Sequence, residues 1–307
     1  MKKKVLIIAG GYSKERDISL KTGRSVYKEL KKKNIYQLKI CEPDGNLIKI
    51  IQSFKPNVVF NALHGRYGED GYIQSVLEKE RVNYTHSGVL ASSIAIDKDL
   101  SKKIFIKNKI LTPKYLKIVN EKNFNKKKII KKILKKFGFP VVIKPINEGS
   151  SVDVYICSKQ NLFSNLKKLN NYREIILEKF IPGREIQVAI MGKKKLGAIE
   201  LKPKRKFYDY KAKYDYKANT KHIIPVPINK KHLNQVMDIS LKAHKIIGCK
   251  GITRSDFKFH KNKFYLLEIN TQPGLTSLSL VPEIANYKNI NFFNLLKWII
   301  NDASKNR

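Results

Sequence analysis

Acidic residues are scarce in this sequence: 25 Asp and Glu stand against 63 Lys and Arg among 307 residues, a formal net charge of +38. The excess is mostly lysine, strewn from Lys2 to Lys305 rather than gathered in one arm. No nucleic-acid-binding motif accompanies it. Asn, Ile, Tyr and Phe are also abundant, and like Lys they have A/T-rich codons, so the charge reads as base composition decorating solvated faces. Nucleic acid is not an expected partner. Cysteine is scarcer still. Cys41, Cys157 and Cys249 are far apart, odd in number and form no CxxC pair. That excludes a disulfide framework or zinc ribbon and fits a reducing cytosol. No run approaches the roughly 18 apolar residues of a membrane helix. The apolar stretch of MKKKVLIIAGG, Val5 to Ala9, is shorter than the roughly 7–15 residues of a signal-peptide core. A cytoplasmic protein with no membrane partner is expected. Also absent are GxxxxGK[ST] and a GxGxxG after the first strand, so any nucleotide site must use another architecture.

What is present is enough apolar content, 42%, to build real cores in two or three packed modules. The first third alternates short apolar strands (VLIIA, then Asn57 to Leu63) with helical signals such as Ile18 to Leu30, which predicts a parallel sheet with helices on its faces. A helix around SSIAIDKDLSKKIF leads into Thr112-Pro113, where composition places a first boundary. In KKKIIKKILKKFG the apolar residues Ile129, Ile130, Ile133, Leu134 and Phe137 recur at helical spacing and Gly138 is a natural stop; its lysines fall on a solvated face. FPVVIKP and IILEKFI read as strands, and REIQVAIM pairs with LGAIEL across GKKK. KPKRKFYDYKAKYDYKANT has no periodicity, and a loop of that length in a compact domain is usually functional or disordered. A helix from Leu233 to Ile247 stops at Gly248. GITRSDFKF then turns at HKNK into FYLLEIN.

That last hairpin carries chemistry. Arg254 and Asp256 are two apart and share a strand face, as do Glu268 and Asn270. A three-residue turn at Lys261 to Lys263 would set Asp256 opposite Glu268 and Arg254 opposite Asn270. Two carboxylates that close repel one another, and a hard cation among oxygen ligands would relieve them. A surface hairpin with an Arg254–Asp256 ion pair explains the same residues, and both readings stay open at this point. In TQPGLTS, Gly274 would let a backbone N–H approach a ligand. VVIKPINEGSSV places Lys144 at a strand end before a small-residue loop, a form suited to phosphate oxygens.

The order of motifs then becomes specific. GGYSKERDISL, ALHGRYGEDG, YTHSGVLASSIAIDK, VVIKPINEGSSV, LEKFIPGREIQVAI, FYDYKAKY, GITRSDF and LLEINTQPGLTSLSLVP follow one another nearly end to end. Together they resemble the ATP-grasp superfamily and, within it, the D-alanine–D-alanine ligases. The resemblance implies an α/β fold, α+β in its ATP-binding part, with an N-terminal Rossmann-like parallel-sheet domain at 1–96. A central ATP-grasp subdomain would follow at 97–182, and a C-terminal one with a lid loop and magnesium site at 183–307.

It also implies an ATP-dependent ligation of two D-alanine molecules through a D-alanyl phosphate, for peptidoglycan and hence cell-wall and cell-shape maintenance, by a homodimer. Glu15 matches the carboxylate that holds the first D-alanine's ammonium, with His64 beside that subsite. Lys98 and Lys144 match the lysines on the ATP phosphates, and Glu148 to Ser151 the loop over them. Glu178, Lys179 and Ile181 match the adenine-binding strand, and Glu185 the ribose carboxylate. Lys213 and Tyr214 fall in the mobile loop, with Tyr214 meeting Ser150 and Glu15. Asp256, Glu268 and Asn270 match the ligands of two Mg²⁺ (or Mn²⁺), Arg254 and the Gly274 amide the oxyanion site, and Ser279 and Leu280 the pocket for the second D-alanine's carboxylate. His86 reads as structural or neutral. Tyr214 favours an amine acceptor over the D-lactate of a depsipeptide ligase. Asp153 departs from the family's usual glycine; a carboxylate there must point away from triphosphate or pair with a lysine. Thr253 and Leu278 depart too, and none of the three removes a catalytic group.

Overall fold

The computed structural model describes residues 1–119, 125–149, 152–203, 220–276 and 279–307. In chain order the elements are β1 (Lys3–Ile8), α1 (Arg16–Lys32), β2 (Tyr36–Cys41), α2 (Leu47–Phe54), β3 (Val58–Asn61), α3 (Tyr72–Lys79), α4 (Val89–Ile96) and α5 (Lys98–Lys107). Next come β4 (Tyr115–Val119), α6 (Lys126–Lys136), β5 (Val141–Pro145), β6 (Tyr155–Cys157), α7 (Leu162–Lys168), β7 (Glu174–Lys179), β8 (Arg184–Met191) and β9 (Lys194–Lys202). The chain closes with β10 (Lys221–Ile223), α8 (Lys230–Ile247), β11 (Ile252–His260), β12 (Lys263–Asn270), α9 (Leu280–Tyr287) and α10 (Phe292–Asp302).

VLII behaves as a parallel strand buried on both sides must. Val5 and Ile7 enter one core and Leu6 and Ile8 another, because strand side chains alternate between faces and helices cover both. β1 sits between β2 and β3, parallel to each. The sheet's first core is not its own. Val5, Ile7, Val26 and Phe60 pack in one cluster with Ala189 and Ile199 of β8 and β9 and with Val281, Leu295 and Ile299 of the last two helices. Each of the Val, Leu, Ile and Phe side chains contributes about 1.5–3 kcal/mol on burial, so these distant segments are held together by apolar contact.

The second sheet runs β4-β7-β5-β6, with antiparallel neighbours and a separate core that includes Ile133, Val141, Ile143, Leu162, Leu166 and Leu177. Its entry strand β4 pairs directly with its exit strand β7, Tyr115 opposite Glu178. The lysines of α6 decorate a helix whose one fully buried side chain is Ile133. Gly138 follows at φ +73°, and Gly248 caps α8 at φ +79°; glycine enters this left-handed region without a Cβ clash.

The third sheet, β10-β9-β8-β11-β12, is antiparallel throughout. Its β11–β12 pairing is the expected one, Asp256 opposite Glu268 and Arg254 opposite Asn270. The route to it differs. His260 pairs with Lys263, leaving the two-residue turn Lys261-Asn262, both at positive φ, which matches the twist of the strands. The register then slips by one between Asp256 and Phe257, leaving Leu267 as the extra residue. Without that bulge, Glu268 would share a face with buried Leu266.

Candidate active site

Two cavities meet between the second and third sheets. The first is lined by aliphatic Val142, Val152, Val154 and Leu267 and by Lys144, Glu178, Lys179, Ile181, Glu185 and Asp256. The second gathers Glu15, His64, Arg254, Asn270 and Gly274. Lys98, Glu148 and Glu268 line both. Strand bulging, a helix start and a loop after β5 thus bring three charged groups to one junction.

In the first cavity Glu178 is the hub. Its Oε2 lies 3.1 Å from Lys144 Nζ and its Oε1 2.9 Å from Lys102 Nζ. Lys102 is entirely buried and also donates to Thr112 Oγ1 at 2.7 Å. Burial pulls the Lys102 ammonium down to about 8, opposed by Glu178 and reinforced by Lys144. Burial alone would push the Glu178 carboxyl up, yet Lys102 and Lys144 outweigh it and hold it below the usual carboxylate range. Lys98 donates to the Glu148 carbonyl at 2.5 Å and sits 3.6 Å from Glu268; burial lowers its pKa, against the pull of Glu268. Glu185 accepts from Lys258 at 2.6 Å.

Lys102 was missed in so lysine-rich a chain, where only its place on the helix set it apart. Its spacing four residues after Lys98 would have revealed it, since such residues share a helix face.

The second cavity is built from turns. Ser13 donates to the His64 carbonyl at 2.6 Å and accepts from the Glu15 amide at 3.1 Å. That tie sets Glu15, at the N-terminus of α1, beside the segment carrying His64. The His64 ring is fixed at both nitrogens, Nε2 to Thr22 Oγ1 at 3.0 Å and Nδ1 to Glu69 Oε1 at 3.2 Å. A Cβ at Gly65 would fall 2.8 Å from Glu15 Oε2, so glycine is what lets that backbone pass. Arg254 grips its strand neighbour Asp256 through Nε at 2.7 Å and Nη2 at 3.1 Å. Gly274 lies against Ser279, where a Cβ would meet Oγ at 3.0 Å. Ser279 Oγ accepts from the Thr276 amide at 2.9 Å and precedes α9, whose first residue is the buried Leu280.

Asp256 of β11 and Glu268 and Asn270 of β12 offer two carboxylates and an amide oxygen across the hairpin, an all-oxygen donor set that suits a hard divalent cation. Asn270 Oδ1 already accepts from the Gln272 amide at 2.7 Å, which orients it. Among the described residues no group of three His, Cys, Asp or Glu clusters as a metal site. Ser150, Ser151, Lys213 and Tyr214 lie outside the described residues.

Comparison with known proteins agrees along the chain. A family model described as the D-ala D-ala ligase C-terminus matches residues 104–301. A D-alanine–D-alanine ligase of Pelagibacter ubique (strain HTCC1062) is 66% identical over 307 residues, 100% of this chain and of that one. Another, from Wolbachia pipientis wMel, is 42% identical over 99% of this chain and 95% of its own. The crystal structure of the D-alanine–D-alanine ligase from Bacillus anthracis complexed with ATP matches with a TM-score of 0.84 at 29% identity, covering 98% of this chain and 97% of that chain. On this agreement in sequence and in fold, the chain belongs to the D-alanine–D-alanine ligase family.

Proposed function

We propose that this chain joins two D-alanines at the expense of ATP, with the phosphoryl group transferred where the two cavities meet. The observation that carries this reading is that junction: Lys98, Glu148 and Glu268 line both cavities. Family membership makes the activity that of a D-alanine–D-alanine ligase. The aliphatic walls of the first cavity suit a purine ring, with Glu178 and the backbone of Lys179 and Ile181 along its edge and Glu185 toward the ribose. Lys98 and Lys144 neutralise phosphate oxygens, with Glu148 and Ser151 at the same loop and Lys213 added from beyond β9. In the second cavity Glu15 takes the ammonium of the first D-alanine, with His64 as a fixed wall.

A carboxylate is a poor acyl donor. In this reading the first D-alanine's carboxylate oxygen attacks the γ-phosphorus, the bond to ADP breaks, and a D-alanyl phosphate forms. Positioning and charge neutralisation supply most of the catalysis in such transfers. The second D-alanine's amine then attacks the acyl carbon, and phosphate leaves as the amide forms. The transient oxyanion needs preorganised donors, which Arg254 and the Gly274 amide provide. Ser279 and Leu280, at the start of α9, receive the second D-alanine's carboxylate at a helix N-terminus. Tyr214 and Ser150 complete the reading on the Glu15 side. Asp256, Glu268 and Asn270 are the residues that would hold two Mg²⁺ or Mn²⁺, whose chemistry is to neutralise phosphate charge. The working parts divide in this reading at 1–96, 97–182 and 183–307. A cytoplasmic homodimer follows from the family resemblance, with the three free cysteines in support; sedimentation would read the dimer directly.

A phosphate-release assay tests the proposal with D-alanine, L-alanine and D-lactate as separate acceptors. Release should require ATP, Mg²⁺ and D-alanine, with neither alternative replacing it. A folded sample giving no D-alanine-dependent release overturns the reading.

A further inference from the structure

Two consecutive residues of the turn after β1 reach two points of the loop after β5. Glu15 meets it at Gly149, where a Cβ would lie 3.1 Å from Oε2. Lys14 meets it at Asp153: Nζ lies 3.2 Å from Oδ2 and donates at 2.7 Å to Tyr172 Oη. Tyr172 in turn donates to the same Asp153 oxygen at 2.5 Å. The ammonium also stands 5.1 Å from the centre of the Tyr172 ring, within the range of a cation–π contact. Tyr172 is anchored, since its ring packs against the core of the second sheet between α7 and β7. Asp153 sits at φ +54°, a left-handed position that aspartate tolerates better than most residues. The Val152 amide just before it donates to the Gly149 carbonyl at 3.0 Å.

From this arrangement we infer that Lys14, Asp153 and Tyr172 form a clasp that sets the loop after β5 against Glu15, making Lys14 and Asp153 positioning residues for the first amino acid and the phosphates. The inference rests on the proposed function for what the loop covers, and on geometry alone for the clasp. Its logic is electrostatic and positional. An unpaired carboxylate at Asp153 would repel a triphosphate, and Lys14 cancels it. The Tyr172 hydroxyl, first, and then Asp153 raise the Lys14 pKa, so the ammonium stays charged across the neutral range. Burial works against the Asp153 carboxylate, but Tyr172 and Lys14 prevail and keep it ionised. The pair is partly exposed, with 59% of the Lys14 side chain and 29% of the Asp153 side chain accessible. Such pairs contribute little to global stability. The clasp therefore acts on where the loop sits rather than on whether the protein folds.

Lys14→Met, Asp153→Asn and Tyr172→Phe should each raise KM for ATP and for the first D-alanine by about fivefold, the scale of one such contact. KM for the second D-alanine and the melting temperature should stay put. The swap Lys14→Glu with Asp153→Lys should recover most of the loss. In the ligand-free protein, Lys14→Met should speed amide exchange at Val152 and Val154. Unchanged exchange, KM values within twofold of the parent, or a swap no better than its single variants would each overturn the clasp. If the parent protein itself releases no phosphate while Lys14→Met still speeds exchange, the clasp stands and the ligase reading falls.

Discussion

The lysines around Glu178 and the lysine on Asp153 are one chemical pairing in two media. Lys102 and Glu178 are dry, with 0% and 3% of their side chains exposed; Lys14 and Asp153 are wet. In the dry cluster each charge depends on its neighbours, since removing one partner leaves another without water or counter-charge. In the wet pair, solvent replaces whatever is lost. The same pairing therefore supports the fold as well as the proposed nucleotide site at the aliphatic cavity, whereas at the loop after β5 it only positions.

Four measurements would sharpen or break this contrast. The largest effect should come from Glu178→Gln, which strands Lys102 and Lys144. Denaturant unfolding should show a loss of about 3–5 kcal/mol, and a loss below about 1 kcal/mol would mean that the cluster is hydrated. Arg254→Met, on a strand face between the two regimes, should lower kcat by about 10²–10³-fold with only a small change in melting temperature. A drop in stability matching the drop in rate would reassign Arg254 to architecture. The third concerns a buried group with no counter-charge. His86 is fully buried at φ +69°, and neither ring nitrogen has a partner. Burial, aided by Arg307 and His64, lowers its pKa to about 3. Its unfolded value is about 6.5, so the unfolded chain binds the extra proton between these pH values. Stability from His86 is thus complete above about pH 6.5 and is lost as pH falls toward 3. His244, lowered to about 4 chiefly by burial, acts in the same direction. Unfolding at a series of pH values should show a loss of about 4–5 kcal/mol between roughly pH 6.5 and 4.5, about half of it from each histidine. His86→Asn should roughly halve that slope, leaving the share of His244, and an unchanged slope would remove His86 as a cause. Smallest of all, Lys14→Met should move the unfolding free energy by no more than about 0.5 kcal/mol, whatever it does to KM.

How far the sequence could be read depended on how local the cause was. The helix α6 and the stops at Gly138 and Gly248 were legible because periodicity and a left-handed glycine act over one turn. VLII was legible as a strand because its short apolar run ends at Gly10-Gly11. The β11–β12 pairing was legible in outcome only. The expected three-residue turn is a two-residue turn followed by a bulge at Leu267, and nothing local marks a bulge that serves the packing of Leu266 beneath it. Asp153 could be recognised as an awkward charge that needs a lysine. Which lysine could not, since Lys14 lies 139 residues away among dozens of equivalent candidates.

The side-by-side entry and exit of the second sheet have a mechanical consequence. Tension applied between β1 and α10 would load segments that share one core. The second sheet hangs from that path by β4 and β7, joined where the Lys179 amide meets the Lys114 carbonyl at 2.8 Å. It would bear no load until that clamp opened. Beyond that clamp, the sheet is tied to the rest of the molecule by Lys102–Glu178 and Lys14–Asp153, so those bridges would take the next share of any load.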